Sequence, residues 1–130
     1  MLTKVFEVGD KRYDVSMASA VKQDELLSIL SRHLIVSSSI AKKQGTELNE
    51  NSVMITVMAL PVDIKQKVVE IVTHMAIEVG TTTNVSVKDF TGKMVEWNRF
   101  IARLIMWNLA DFFDLLASAD LEKSLREKQG

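Results

Sequence analysis

A chain of 130 residues, 47% of them hydrophobic and 25% charged, is long enough for one domain around a single core and too apolar to be disordered. Its 16 Lys and Arg against 17 Asp and Glu leave a net charge of −1, which argues against a dedicated nucleic-acid binder with its basic face. Cysteine is absent, which excludes disulfides, thiolate metal sites and a cysteine nucleophile, and no apolar run approaches the ~20 residues that span a bilayer.

The opening MLTKVFEVGD lacks the apolar core of a signal peptide, so a soluble, intracellular protein is expected. Leu2, Val5, Phe6 and Val8 are strand formers, and Tyr13 and Val15 resume the pattern after Gly9-Asp10. This reads as a β-hairpin turning at Gly9-Asp10. A lone hairpin is marginal in water, so it must lie on helices. Ser16 or Ser19 then caps a helix to about Lys43, with Leu26, Leu27, Leu30, Leu34, Ile40 and Ala41 at helical spacing and Gly45 as its stop. Asp24 and Glu25 lie in its early turns and Lys42 and Lys43 at its end, both favoured by the helix dipole. The triplet Ser37-Ser38-Ser39 lowers helix propensity and allows a break.

Thr46 to Ser52 reads as a polar loop. Val53 to Leu60 fits a strand by alternation or a short buried helix by length; helix is preferred because nothing nearby pairs with it. Pro61 suits a first helical turn, and Val68, Ile71, Val72, Met75 and Val79 carry helical spacing to Gly80. Gly80 to Asn84 is a break, Val85 to Val87 a brief extended segment, and Asp89 or Thr91 a cap for the next helix. The tail from Ala119, with Leu121 and Leu125 among charges, reads as a solvated amphipathic helix.

The chain is organised around Met94 to Leu116, which holds Trp97, Trp107, Phe100, Phe112 and Phe113. Trp97, Ile101, Leu104 and Ile105 form one helical face, but Phe100, Met106 and Trp107 fall outside it. A helix apolar around most of its girth must be covered on most sides, and in a short chain another copy or a different protein can supply part of that cover. Phe100 and Trp107 share a row with Arg103 between them, and Trp97 and Leu104 form a parallel row. Aromatic–Arg–aromatic is typical of a binding hot spot. Trp97, Phe100, Arg103, Leu104 and Trp107 are therefore the candidate partner-binding residues, one row packing inward and the other meeting a second subunit or partner. Asp111 restarts a second segment after Asn108, giving a bend.

Chemistry is sparse. His33 and His74 lie on separate predicted helices, and neither has metal-ligand spacing such as HExxH. Gly92-Lys93 lacks the preceding Gly and following Ser or Thr of a phosphate loop. Ser37 to Ser39 has no GxSxG context, and Asp24-Glu25 and Asp111 with Asp114 read as solvated carboxylates. No catalytic, metal or cofactor residue is assigned, so the expectation is a non-enzyme without small-molecule substrate or cofactor. Arg99, Arg103, Lys123, Arg126 and Lys128 could support base stacking, but balanced charge favours cation–π and rim contacts.

Two stretches carry a family resemblance: KVFEVGDKRYDV followed by DELLSILSRHL, and EWNRFIARLIMWNLADFFDLLASADLEKSL. A small chain with a hairpin start, a helical body and a Trp-bearing closing helix resembles the tail assembly chaperones of lambda-type phages with long non-contractile tails. The resemblance is one of layout across most of the chain. It implies a protein of the host cytoplasm, absent from the mature virion, that coats the apolar, helical tape measure protein and helps recruit tail tube protein subunits. Apart from the resemblance, the excess of large apolar residues on Met94 to Leu116 predicts self-association into a homo-oligomer, and the balanced charge and lack of a bilayer-length apolar run predict binding to neither nucleic acid nor membrane. Met54, Met58, Met75 and Met106 suit such a role, because methionine adapts to irregular partners. The competing expectation is a structural tail or head-completion protein retained in the particle. The expected fold is α+β and mostly α-helical, an N-terminal β-hairpin on a bundle of about four helices, in one domain over residues 1–130.

Overall fold

The computed structural model describes residues 2–118. In chain order they form strands β1 (Thr3–Val8) and β2 (Lys11–Ser16), helices α1 (Ala20–Lys43), α2 (Glu50–Met58) and α3 (Val62–Thr73), strand β3 (Ala76–Glu78), a short 3-10 turn (Val87–Phe90), and helices α4 (Met94–Asn108) and α5 (Ala110–Ala117). The fold is α+β and mostly helical, as the pattern predicts. One buried cluster draws residues from every one of these elements. The tail predicted as a helix from Ala119 lies outside the described residues.

The hairpin turns where Gly9-Asp10 predicts, with Gly9 at φ 62°, a conformation that costs glycine nothing. Phe6 and Val8 of β1 and Tyr13 and Val15 of β2 alternate inward and are buried. Helix α1 runs unbroken through the serine triplet. Ser38 is buried, and the Ser37 and Thr56 hydroxyls meet at 2.9 Å, so the triplet packs α1 against α2. Ser19, not Ser16, caps α1, its Oγ accepting from the Lys22 N–H at 3.3 Å. No acid lies in the first turn of α1, and Glu25 pairs with Lys22 at 3.1 Å. Helix is the right reading of Val53 to Leu60, but α2 starts earlier than expected because Asn49 caps it, accepting from the Ser52 N–H at 3.0 Å.

The expected helix from Pro61 to Gly80 is the largest correction. Helix α3 ends at Thr73, and Ala76–Glu78 is instead the third strand of an antiparallel sheet of order β1-β2-β3. Met75 and Val79, in phase with the helical face by spacing, are exposed, while Ala76 is fully buried. Pairing with the open side of β2 overrides the local period. Asp89 and Thr91 do not cap α4. Asp89 accepts from the Ser86 N–H at 3.1 Å and closes the 3-10 turn, and α4 follows Lys93 without a side-chain cap. The bend expected near Asn108 is present, with Leu109 joining α4 to α5. That bend splits the aromatic stretch in two and raises the helix number to five among the described residues.

Candidate protein-binding surface

Of the aromatic residues singled out by sequence, Trp97 and Phe100 lie inside the protein, while Trp107, Phe112 and Phe113 are half-buried. Trp97, Phe100 and Leu104 are all buried. Phe90, Trp97 and Phe100 follow one another with ring centroids 5.1 and 6.4 Å apart. Phe100 then stacks on Tyr13 at 5.4 Å and meets Phe6 edge-on at 6.1 Å. Phe6 in turn meets Trp107 at 5.4 Å. The sheet therefore lies over the Phe100–Trp107 row, while α2 and α3 pack elsewhere along α4. The expectation that one of the two rows faces a partner is corrected: this chain covers α4 itself, and of the five candidates only Arg103 and the half-buried Trp107 reach solvent. Sequence spacing could not show this, because the covering residues Phe6 and Tyr13 sit at the far end of the chain.

Arg103 does not stand free between the aromatics. Its Nε donates to Glu50 Oε1 at 2.7 Å and its Nη1 to the Glu7 carbonyl at 2.9 Å. Arg99 donates to Glu50 Oε2 at 3.1 Å and to Asn51 Oδ1 at 2.9 Å. One carboxylate thus ties α4 to the start of α2 and, through Arg103, to β1. Burial pushes the Glu50 carboxyl up, but the hydrogen bonds and charges of Arg103 and Arg99 outweigh it and hold the group below its ordinary range. These arginines join elements, which leaves them poorly placed for stacking bases.

The surface that remains apolar lies on α1 and α2. Val36 and Ile40 of α1 are each 52% exposed, and Ile55 and Met58 of α2 are 60% and 47% exposed. The α1 pair is four residues apart and the α2 pair three, so each forms a row along its helix. Between the helices runs an open groove of about 360 Å³, lined by Val36 and Ile55 with Arg32, His33, Ser37 and Thr56. The Ser37–Thr56 hydrogen bond forms part of its lining. Leu26, Leu30, Leu34 and Ala41 hold the opposite side of α1 in the core, and Val53, Met54 and Val57 do the same for α2. The groove therefore sits on two anchored helices.

A second groove, of about 760 Å³, runs between the hairpin turn and the start of α4. Glu7, Lys93, Glu96, Arg99 and Arg103 give it mixed charge, and its lining holds no imidazole or hydroxyl. His33 and His74 stand at separate grooves, on α1 and just beyond α3. Among the described residues no cluster of three or more His, Cys, Asp or Glu is placed to hold a metal ion. The sequence does not single out the α1–α2 groove: Ile40 keeps the helical spacing of a core, and Ile55 and Met58 fall in a segment whose alternation also suits a strand. The available signal was their number: α1 carries apolar residues on more than the one face its core side needs. Comparisons with protein-family models, with curated proteins and with solved structures find no match.

Proposed function

We propose that this protein is a non-enzymatic phage tail assembly chaperone that self-associates, binds the tape measure protein in the host cytoplasm and helps recruit tail tube subunits. The observation that carries the binding part is the α1–α2 groove, with exposed apolar side chains on both helices. An amphipathic helix laid in such a groove buries anchors at i, i+3, i+4 and i+7. A tape measure protein, long, helical and apolar, presents such anchors repeatedly. The hairpin followed by a helical body and a Trp-bearing helix supports the family part of the reading.

The test is co-expression with a tape measure protein of a long-tailed phage. The wild-type chain should keep that protein soluble and co-purify with it. Val36→Asp and Ile55→Asp should abolish co-purification without lowering the melting temperature, because both side chains are exposed. Failure of the wild type to bind would overturn the reading. Recovery of the chain in purified particles would select a structural tail or head-completion protein in its place.

A further inference from the structure

The two edges of the sheet are treated differently. Along β2, Lys11, Tyr13 and Val15 bond to β1, while Arg12, Asp14 and Ser16 bond to β3; the Val79 N–H donates to the Arg12 carbonyl at 2.9 Å and the Ser16 N–H to the Met75 carbonyl at 2.8 Å. In β3 the groups of Ala76 and Glu78 therefore point away from β2, and all four are satisfied locally. The Ala76 N–H donates to Asn84 Oδ1 at 3.1 Å, and the Ala76 carbonyl accepts from Val85 at 2.8 Å. The Glu78 N–H donates to the Thr83 carbonyl at 3.1 Å, and the Glu78 carbonyl accepts from Thr81 at 3.0 Å. Residues 81–85 close that edge.

Among the described residues the β1 edge is left open. Val8 faces Lys11 across the two-residue turn, and Met17 donates to the Leu2 carbonyl at 2.8 Å. Thr3, Val5 and Glu7 consequently direct their N–H and C=O groups away from β2. Among the described residues only Arg103 meets these groups, at the Glu7 carbonyl, and a carbonyl has a second lone pair. Leu2, Thr3, Lys4, Val5 and Glu7 are all exposed. An exposed strand edge is a template for another extended chain.

We propose that β1 pairs antiparallel with β1 of a second copy about a two-fold axis through Val5. The charge pattern admits a second copy of this strand in one register. Antiparallel pairing needs outward-facing residues opposite one another, which allows two-fold axes at Lys4, Val5 or Phe6. Centring on Lys4 opposes two ammonium groups at the closest cross-strand spacing. Centring on Phe6 opposes two buried rings and leaves Thr3 unpaired. Centring on Val5 opposes Val5 to Val5, Thr3 to Glu7 and Lys4 to Phe6, with no like charges opposed. Lys4 already lies 5.2 Å from the centroid of its own Phe6 ring, so it is suited to that neighbour. The result is one continuous six-stranded sheet. This deepens the self-association part of the proposed function and is independent of the tape measure part, so co-purification and pairing fail separately.

The chain has no cysteine, which permits a direct test. In a hydrogen-bonded antiparallel pair the opposed Cα atoms lie about 5.5 Å apart, within disulfide range, while Thr3 and its symmetry mate lie roughly 14 Å apart. Diamide oxidation of the full-length Val5→Cys chain should give covalent dimer rapidly, and the Thr3→Cys chain should not. Val5→Lys and Val5→Glu should each weaken association at least tenfold by sedimentation with the fold unchanged by circular dichroism, and mixing the two should restore it. A monomeric mass for the wild type at every concentration would overturn the proposal. So would equal cross-linking of both cysteine variants, or a mixture that stays monomeric.

Discussion

Glu50 is the residue whose removal is most sharply defined. It accepts from both Arg99 and Arg103, yet its side chain is 36% exposed, so water screens the pairs. Glu50→Gln should lower stability by about 1 kcal/mol or less, read from denaturant unfolding. The pH dependence has a definite sign. Because the folded-state pKa of Glu50 lies below the unfolded value, its contribution is full above the unfolded pKa of about 4.3 and is lost as pH falls through the folded value. The gap between wild type and Glu50→Gln should therefore close on acidification; a gap that widens would contradict the assignment. Tyr13 has the opposite profile. Burial, then the negative charges of Asp89, Glu78, Asp10 and Glu96, raises its pKa, so it contributes below about pH 10 and that contribution is lost as pH rises through the folded value. Phe100, against Tyr13, Phe6 and Trp97, should cost about 3–5 kcal/mol on change to Ala, measured by loss of melting temperature. A binding residue with a silent folding effect would not behave in this way.

At the scale of elements, one side chain ties the small strand β3 to its neighbours. Asn84 accepts from the Ala76 N–H and donates to the Thr73 carbonyl at 3.1 Å, so it fixes both the end of α3 and the outer side of β3. Asn84→Ala should cost about 1–3 kcal/mol, because Ala76 is fully buried and its N–H would lose its partner. Protection of the Ala76 and Glu78 amides from hydrogen exchange should fall first; unchanged protection would show that the edge closes without Asn84. The same elements show what could be read from the chain. The hairpin, α1 and the bend of the aromatic helix were legible, since each is marked by local chemistry: Gly9-Asp10, Ser19 and Gly45, and Asp111 after Asn108; α2 was legible only in that nothing nearby pairs with Val53 to Leu60, and its Asn49 cap went unread. Strand β3 was not legible, because Met75 and Val79 mimic a helical period and the partner that decides the matter is more than fifty residues away. That Trp97, Phe100 and Leu104 are core was hidden for a related reason. Girth alone says that α4 is covered, and only the positions of Phe6 and Tyr13 say by what.

At the scale of the whole molecule, the apolar groove lies on α1 and α2 and the exposed edge on β1, so the proposed tape measure binding and the proposed self-pairing would use different elements. A chain with Val36→Asp should still pair with its copy, and a chain with Val5→Lys should still bind the helical partner. Loss of both activities in either variant, with the fold intact, would contradict this separation. The sheet's connectivity also sets a clock. Tyr13 pairs with Glu78, so the hairpin leaves the ribosome long before its third strand exists. At about 5–20 residues per second, that interval is on the order of several seconds. During it, the side of β2 that later receives β3 stands open as well as β1, and a two-stranded hairpin is itself marginal. Nascent chains translated side by side on one message would meet in that window, so the order of synthesis is expected to bear on aggregation. Slowing translation after residue 20 should raise the aggregated fraction, and speeding it through residue 85 should lower it.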